Sequence, residues 1–424
     1  MPSSAGEPYA EGAHLVATAR VTLRAEPSVR ASRLGTLRVD EMVSVSKRSE
    51  QSFELQERRA YWYRVERRGG MRGWVYGAYL APDTGTLMGQ SRSGSMTGFE
   101  PIDTHLIAGL LAARKFVVPE RFKALVIRID PVSGSEASRF YPFSYKDTYL
   151  HRENWWPAST VKLFAAIAAL EKSRRLGIEP GAKLTFDYTT EVSPEPVTKP
   201  LNYLVRRALI QSNNQAFDQL VEWVGFHTLN DRFLTAGNGL AQTTLLRAYT
   251  RRHMYPELNR GSNRLSPPIT VAAKGRVMKL PSERGDGAYN CPNQGNCTTL
   301  WDLAEALRRV MLHESLPAAE RFALGADELR LLRKALGTRR SRGNPVVDAL
   351  RNAFGDRIVG LYHKPGYAGK WMSDVVFVDL GPAQAGWLVA LANDPGRSSL
   401  DEGASHVAAL MASGALDVPD TKAP

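Results

Sequence analysis

The chain has 424 residues, 43% of them hydrophobic and 23% charged, the composition of a folded protein too long for one ordinary core. Net charge is +12, from 55 basic and 43 acidic residues. The basic residues are scattered and no nucleic-acid motif accompanies them, so the charge reads as a bias towards anionic surroundings. The longest unbroken apolar run, Leu163 to Leu170, is too short to span a bilayer.

Residues 14–82 form the first unit. Short β-rich runs, LVATARVTLR, LGTLRV, MVSVSKR, YWYRVERR and RGWVYGAYL, alternate with turn residues and predict a small all-β barrel. Trp62, Tyr63 and Trp74 are expected in its core. The unit holds 13 Lys/Arg against 7 Asp/Glu, which suits an anionic partner. A flexible linker is expected over 83–100, where DTGTLMGQSRSGSMTG cannot bury a core.

From Pro101 the pattern becomes mixed α and β. Ile107, Leu110 and Leu111 mark a helix within 103–115. ALVIRID (124–130) reads as a buried strand and PVSG as its turn, with ASRFYPFS and DTYLH forming the returning strand. A long helix is expected from Pro157 to Arg175, stopped by Gly177. Helices are expected to dominate 200–250 and 300–335. Three strands follow, RIVGLYH, SDVVFVDL and GWLVALAN, and then a closing helix over 404–411. The two cysteines, Cys291 and Cys297, lie in CPNQGNC. They are a possible disulfide or a pair of free thiols; with no His or further Cys beside them, a metal site is not expected.

Three short motifs carry chemistry. In Ser159-Thr160-Val161-Lys162, positions i and i+3 share a helix face, so the amine lies against the hydroxyl. A serine hydroxyl needs a base to become a nucleophile, and a lysine serves only if burial or nearby positive charge lowers its pKa. Pro157 suits the first turn, placing Ser159 where backbone N–H groups favour a developing anion. A second S-x-x-K, Ser44 to Lys47, falls in a predicted strand and reads as chance. Ser212-Asn213-Asn214 stands between two helical runs, where capping of the second helix is the plain alternative. His363-Lys364-Pro365-Gly366-Tyr367 ends a strand, where an ordinary turn is the alternative.

Taken together and in that order, the three resemble the motifs of class A β-lactamases and the related penicillin-binding proteins, over about 101–416. The order of elements and the paired Thr298-Thr299 before a helix agree. The first unit resembles a bacterial SH3 domain, on Val21-Thr22-Leu23-Arg24, Pro27, Gly35-Thr36-Leu37, Trp62-Tyr63-Arg64-Val65, Gly73-Trp74-Val75 and Tyr79-Leu80. The resemblance implies an α/β catalytic fold, an antiparallel sheet flanked by helices with an all-helical subdomain, behind a small all-β SH3-like barrel.

It further implies Ser159 as acylated nucleophile, Lys162 as its proton partner and Ser212 as relay to the leaving nitrogen. Asn214 would hold the substrate amide, and Lys364 and Gly366 the substrate beside the strand. The backbone N–H groups of Ser159 and Tyr367 would form the oxyanion hole. Pro365 replaces the usual hydroxyl residue and removes one hydrogen bond to a substrate carboxylate. Asn213 replaces a common Asp. In Tyr255-Pro256-Glu257-Leu258-Asn259 the deacylation position holds Tyr255, a poor base at neutral pH, unless Glu257 serves instead.

The expectation is a serine acyl-enzyme hydrolase of the D-Ala-D-Ala carboxypeptidase type, acting on a cell-wall peptide or related amide. A true β-lactamase using Glu257 and a non-catalytic peptidoglycan-binding module are the alternatives. No metal or cofactor is expected. The partners would be a cell-wall peptide or β-lactam-type small molecule, with peptidoglycan bound through the SH3-like unit; neither nucleic acid nor a membrane span is expected. Residues 1–12 read as a polar tail without a signal-peptide pattern, so a periplasmic or secreted location is implied by the resemblance alone. Of the residues that invite over-reading, His151, His253 and His363 show no ligand spacing, and Arg351 or Arg357 could assist carboxylate binding.

Overall fold

Alternating side chains build the first unit. On β2 (Val21–Arg24), Val21 and Leu23 are buried while Thr22 and Arg24 are half-buried, the period of two expected of a strand with one face on a core. The computed structural model describes residues 9, 11–12, 14–17, 21–37, 42–55, 58–67, 71–82, 98–130, 138–152, 155–188, 195–226, 228–245, 249, 266–273, 276–282, 291, 296–337, 343–369, 371–382, 384–393 and 397–417. The linker expected over 83–100 lies outside these residues up to 97, as do Tyr255, Glu257 and His253. The chain divides into two compact units with a boundary at Ser95/Met96.

The first unit adds β1 (His14–Ala17), β3 (Arg33–Leu37), β4 (Met42–Leu55), β5 (Arg58–Arg67), β6 (Arg72–Tyr76) and β7 (Leu80–Pro82). They form an antiparallel sheet in the order β3-β2-β6-β5-β4-β1-β7 around Leu15, Leu23, Val45, Tyr63, Val65 and Val75. LVATARVTLR is two strands, and β4 runs on to Leu55 in a long hairpin with β5. Trp62 and Tyr63 are buried as expected, whereas Trp74 is only half-buried. The register shifts between Val45 and Lys47; Lys47 is exposed and Ser44 Oγ donates to Glu66 O (3.4 Å).

The second unit runs through α1 (Leu106–Ala113), β8 (Lys123–Asp130), β9 (Arg139–Ser144), α2 (Lys162–Arg175), β10 (Lys183–Phe186), β11 (Val197–Pro200), α3 (Leu201–Ile210) and α4 (Asn214–Val224). It continues with β12 (Ile269–Ala273), β13 (Arg276–Leu280), α5 (Leu300–Met311), α6 (Ala326–Leu336), α7 (Pro345–Phe354), β14 (Gly360–Ala368), β15 (Trp371–Asp379), β16 (Gly386–Asn393) and α8 (Arg397–Ala412). The central sheet is antiparallel, in the order β14-β15-β16-β8-β9.

Both its faces are covered. Leu388, Ala390 and Ala392 join a core with α2 and α5, while Trp387, Val389 and Leu391 join a second with α1, α7 and α8. This explains why GWLVALAN reads as a continuous apolar run. Helix α2 is the centre of the first core: Leu163 to Leu170 are all buried, as an all-round apolar helix must be.

Two expectations need correction. DTYLH is not strand: the returning strand is β9 alone, and Thr148–Leu150 is a 3-10 turn. The subdomain expected to be all-helical also holds a second sheet, β11-β10-β12-β13, whose strands flank the helical runs expected over 200–250 and 300–335. These strands are four or five residues long, and no described side chain of β11 or β13 is fully buried, so no apolar run announces them. Cys291 and Cys297 are bonded, and Thr244 pairs with Cys297 through two backbone hydrogen bonds (2.8 and 3.0 Å). Thr299 caps α5 by accepting from Asp302 N (3.1 Å). Among the described residues no helix is long and apolar enough to cross a membrane.

Helix α5 is fastened by buried charge. The Arg308 guanidinium, fully buried, donates to both Glu305 oxygens (2.7 and 2.9 Å) and to Glu320 (2.7 Å), with the Phe99 and Phe140 rings about it at 5.1 and 5.0 Å. Arg309 donates to Glu305 as well. Removing one member of such a set strands the others in a dry interior. We expect Glu305→Ala to destabilise the second unit by about 3–5 kcal/mol, measured by denaturant unfolding. Arg330→Ala, which breaks a pair with Asp327 exposed at both ends, should cost at most about 1 kcal/mol.

Candidate active site

The Ser159 motif does not begin as α-helix. Residues Ala158–Val161 form a 3-10 turn that leads into α2 at Lys162. Ala158 stands at φ 48°, a left-handed conformation unfavourable for a residue with a Cβ. The turn brings Lys162 Nζ within 2.9 Å of Ser159 Oγ. The amine also donates to Ser212 O and to Asn214 Oδ1 (2.7 Å), and lies 3.3 Å from Ser212 Oγ. It is fully buried.

Ser212 and Asn213 divide the two expected roles between them. Asn213 caps α4, its Oδ1 accepting from Ala216 N (2.8 Å). Ser212, at φ 51°, is turned towards the amines instead. Lys364 Nζ donates to Ser212 Oγ (3.0 Å) from the opposite side. One hydroxyl therefore stands between two buried lysines.

Burial, and secondarily the positive charge of Lys364, lowers the Lys162 pKa from 10.5 to about 7, against an opposing pull from Asp218. Burial lowers Lys364 from 10.5 to about 8, opposed by Asp374. An amine near neutrality can take a proton from the hydroxyl it touches.

Strand β14 reaches this group because Gly366 has no side chain. A Cβ there would lie 2.8 Å from Ser373 Oγ and closer still to Pro157 O. Ser373 Oγ donates to Pro157 O (3.3 Å), tying β15 to the same turn. Tyr367, the next residue on β14, pairs with Met372, and its side chain is exposed. Thus Ser159, Lys162, Ser212, Asn214, Lys364, Gly366 and Tyr367 come together from one turn, one interhelical link and one strand. Arg351 lines a cavity that opens beside them. Arg357 instead donates to Phe354 O and Ala353 O (each 3.3 Å).

Several residues here carry no motif. Tyr249 donates its hydroxyl to Ala158 O (2.6 Å), and its ring lies 5.6 Å from Lys162 Nζ. Its backbone N–H donates to Asp218 Oδ1 (2.8 Å), and Asn214 Nδ2 donates to its carbonyl (3.5 Å). On the far face of β14, His363 Nδ1 meets Asp374 Oδ2 (2.9 Å), which also accepts from Asn344 Nδ2 (2.8 Å). Asp374 is fully buried. A carboxylate inside the apolar run SDVVFVDL was the available signal for it; Tyr249 had none.

Residues 148–413 match the Beta-lactamase enzyme family, and residues 19–81 match the Bacterial SH3 domain. No curated protein matches the chain. Among solved structures, it is similar to a class A β-lactamase representative from Bacteroides cellulosilyticus DSM 14838 (13% identity, TM-score 0.44, 73% of this chain and 95% of that one). A β-lactamase from Burkholderia vietnamiensis is similar at 16% identity (TM-score 0.46, 74% and 96%). So is a mutant of PBP-A in an acyl-enzyme complex with penicillin G (16% identity, TM-score 0.48, 74% and 98%). The sequence match, which spans most of the chain, carries the assignment: the chain belongs to the β-lactamase enzyme family and is a serine hydrolase of the β-lactamase/DD-peptidase superfamily.

Proposed function

We propose that this enzyme cleaves a cell-wall-type peptide amide through an acyl-enzyme on Ser159, as a D-Ala-D-Ala carboxypeptidase-like peptidase. The observation that carries the reading is the contact of Lys162 Nζ with Ser159 Oγ at 2.9 Å, by an amine held near neutrality. Neutral Lys162 takes the Ser159 proton as Oγ attacks the carbonyl carbon. Charge on the carbonyl oxygen is met by the N–H groups of Ser159 and Tyr367. As the C–N bond breaks, Ser212 Oγ gives its proton to the leaving nitrogen and recovers one from Lys162 across 3.3 Å. Lys364, 3.0 Å away, favours the electron-rich Ser212 oxygen. Asn214 orients the substrate amide.

Water then releases the acyl group. Aligned on Pro-Glu-Leu-Asn, the deacylation position holds Tyr255, and a phenol is a poor base at neutral pH. This supports slow deacylation when the acyl group is a β-lactam, and a peptidase in preference to a β-lactamase. The all-β unit (14–82) acts as a peptidoglycan-binding module, joined by the linker (83–100) to the catalytic unit (101–416). The bonded cysteines support a periplasmic or secreted site of action.

The direct test is intact-protein mass spectrometry with a penicillin. A lasting adduct on Ser159, absent from Ser159→Ala of unchanged thermal stability, is the expected result. Labelling of that variant would overturn the assignment; rapid drug turnover without an adduct would favour a β-lactamase. The acylation rate should rise with pH through about 7, because only neutral Lys162 accepts the proton. Lys364→Met removes a charge that lowers the Lys162 pKa, so that rise should move to higher pH in stopped-flow acylation. Linkage has the same sign. Between about pH 7 and 10.5 the unfolded chain binds a proton that the folded site has lost, so this lysine's penalty on stability shrinks as pH rises.

A further inference from the structure

Ser212, Lys364 and Pro365 line a cavity of about 1690 Å³ walled by α3, α6 and β14; Ser159, Lys162 and Asn214 are not among its lining residues. A site for one small molecule occupies roughly 300–1,000 Å³, so the space continues well past the reacting bond. Its charge is one-sided. The described lining residues include five arginines and two lysines; Arg330, Arg333 and Arg351 are paired with Asp327, Glu314 and Asp348, which leaves Arg206, Arg207, Lys334 and Lys364 as an excess of positive charge. Arg206 and Lys334, on the facing helices α3 and α6, are exposed. Apolar surface lies between the charges: Tyr203, Ile210 and Val359 are large side chains left 41%, 45% and 72% exposed.

The direction of the cavity assigns its occupant. Of the proposed catalytic side chains only Ser212 and Lys364 line it, and Ser212 is the group that would protonate the leaving nitrogen, so the cavity lies where it can receive what that nitrogen carries. A single terminal carboxylate would need one or two cations and far less room. Pro365, at the mouth, also lacks the hydroxyl and N–H that could fasten such a carboxylate. We infer that the cavity binds the leaving-group side of the substrate, and that this side is an extended peptide bearing several carboxylates. The cations meet the carboxylates, while Tyr203, Ile210 and Val359 meet the aliphatic stems. The enzyme would then cut within an acidic peptide, not only at its last residue. The inference rests on the acyl-transfer reading above.

The test uses fluorescein-labelled Ala-Glu-Glu-Glu and Ala-Gln-Gln-Gln, free at the amino end as a leaving group would be, with binding read by fluorescence anisotropy on the full chain. The glutamate peptide should bind at least about tenfold tighter at low salt, the gap closing as salt screens the charges. The double variant Arg206→Glu/Lys334→Glu, of unchanged melting temperature, should lose that preference. The glutamate peptide should also slow penicillin labelling of Ser159 in the wild-type chain.

Equal affinity for the two peptides, or a preference that survives in the double variant, would overturn the inference while penicillin labelling leaves the acyl-enzyme reading standing. Selective binding that does not slow labelling would remove the cavity from the reaction path and overturn its leaving-group role. Tighter binding of a polyphosphate of equal charge would reassign it to a phosphate polymer. Selective peptide binding with neither labelling by penicillin nor turnover of it would instead sink the acyl-enzyme reading, and the leaving-group assignment with it.

Discussion

Two lysine amines kept dry around one hydroxyl set the terms for the rest of this catalytic unit. Lys162 and Lys364 approach Ser212 Oγ at 3.3 and 3.0 Å, and both are buried. Burying a lysine without a directly bonded carboxylate is unfavourable, and the response is loss of the proton. The surrounding elements hold that arrangement closed. Helix α2 seats Lys162 on a core that cannot rotate towards water. Strand β14 seats Lys364 and approaches the Ser159 turn only because Gly366 lets it. Behind β14, Asp374 is fixed by His363 and Asn344, and its negative charge tempers the depression of Lys364.

The elements that position the site were legible in the sequence because they are the most buried. The run Leu163–Leu170 and the strands SDVVFVDL and GWLVALAN lie against core on every side and announce themselves as apolar runs. The three motifs gave the order of the candidate site residues, but not the 3-10 turn on which Ser159 stands. What escaped notice was short or locally ambiguous. Strands β10 to β13 have no long apolar face. Helix α7 carried a readable start, Asn344 capping Val347 N with Pro345 in the first turn, but followed a segment without pattern.

Tyr249 illustrates a different limit. The sequence comparison of Pro-Glu-Leu-Asn placed a tyrosine, Tyr255, at the deacylation position, on a segment outside the described residues. The tyrosine found beside Lys162 is Tyr249, tied there by Asp218 and Asn214. Each of those is on α4, more than thirty residues away in the chain. A contact of that kind leaves no local trace: it depends on how a loop returns to a helix, and not on the residues that flank it.

The left-handed backbone at Ala158 and Ser212 has a consequence for anyone who would harden this enzyme. Each such residue costs about 1–3 kcal/mol, and the two lie where the chemistry requires them. A glycine in place of Ser212 would relax the chain, and an apolar residue in place of Lys162 would spare the interior an amine. On the mechanism proposed above, both changes surrender the reaction. Directed selection for heat resistance alone would therefore enrich inert proteins, and only a screen that also reads turnover would separate a robust catalyst from a comfortable fold.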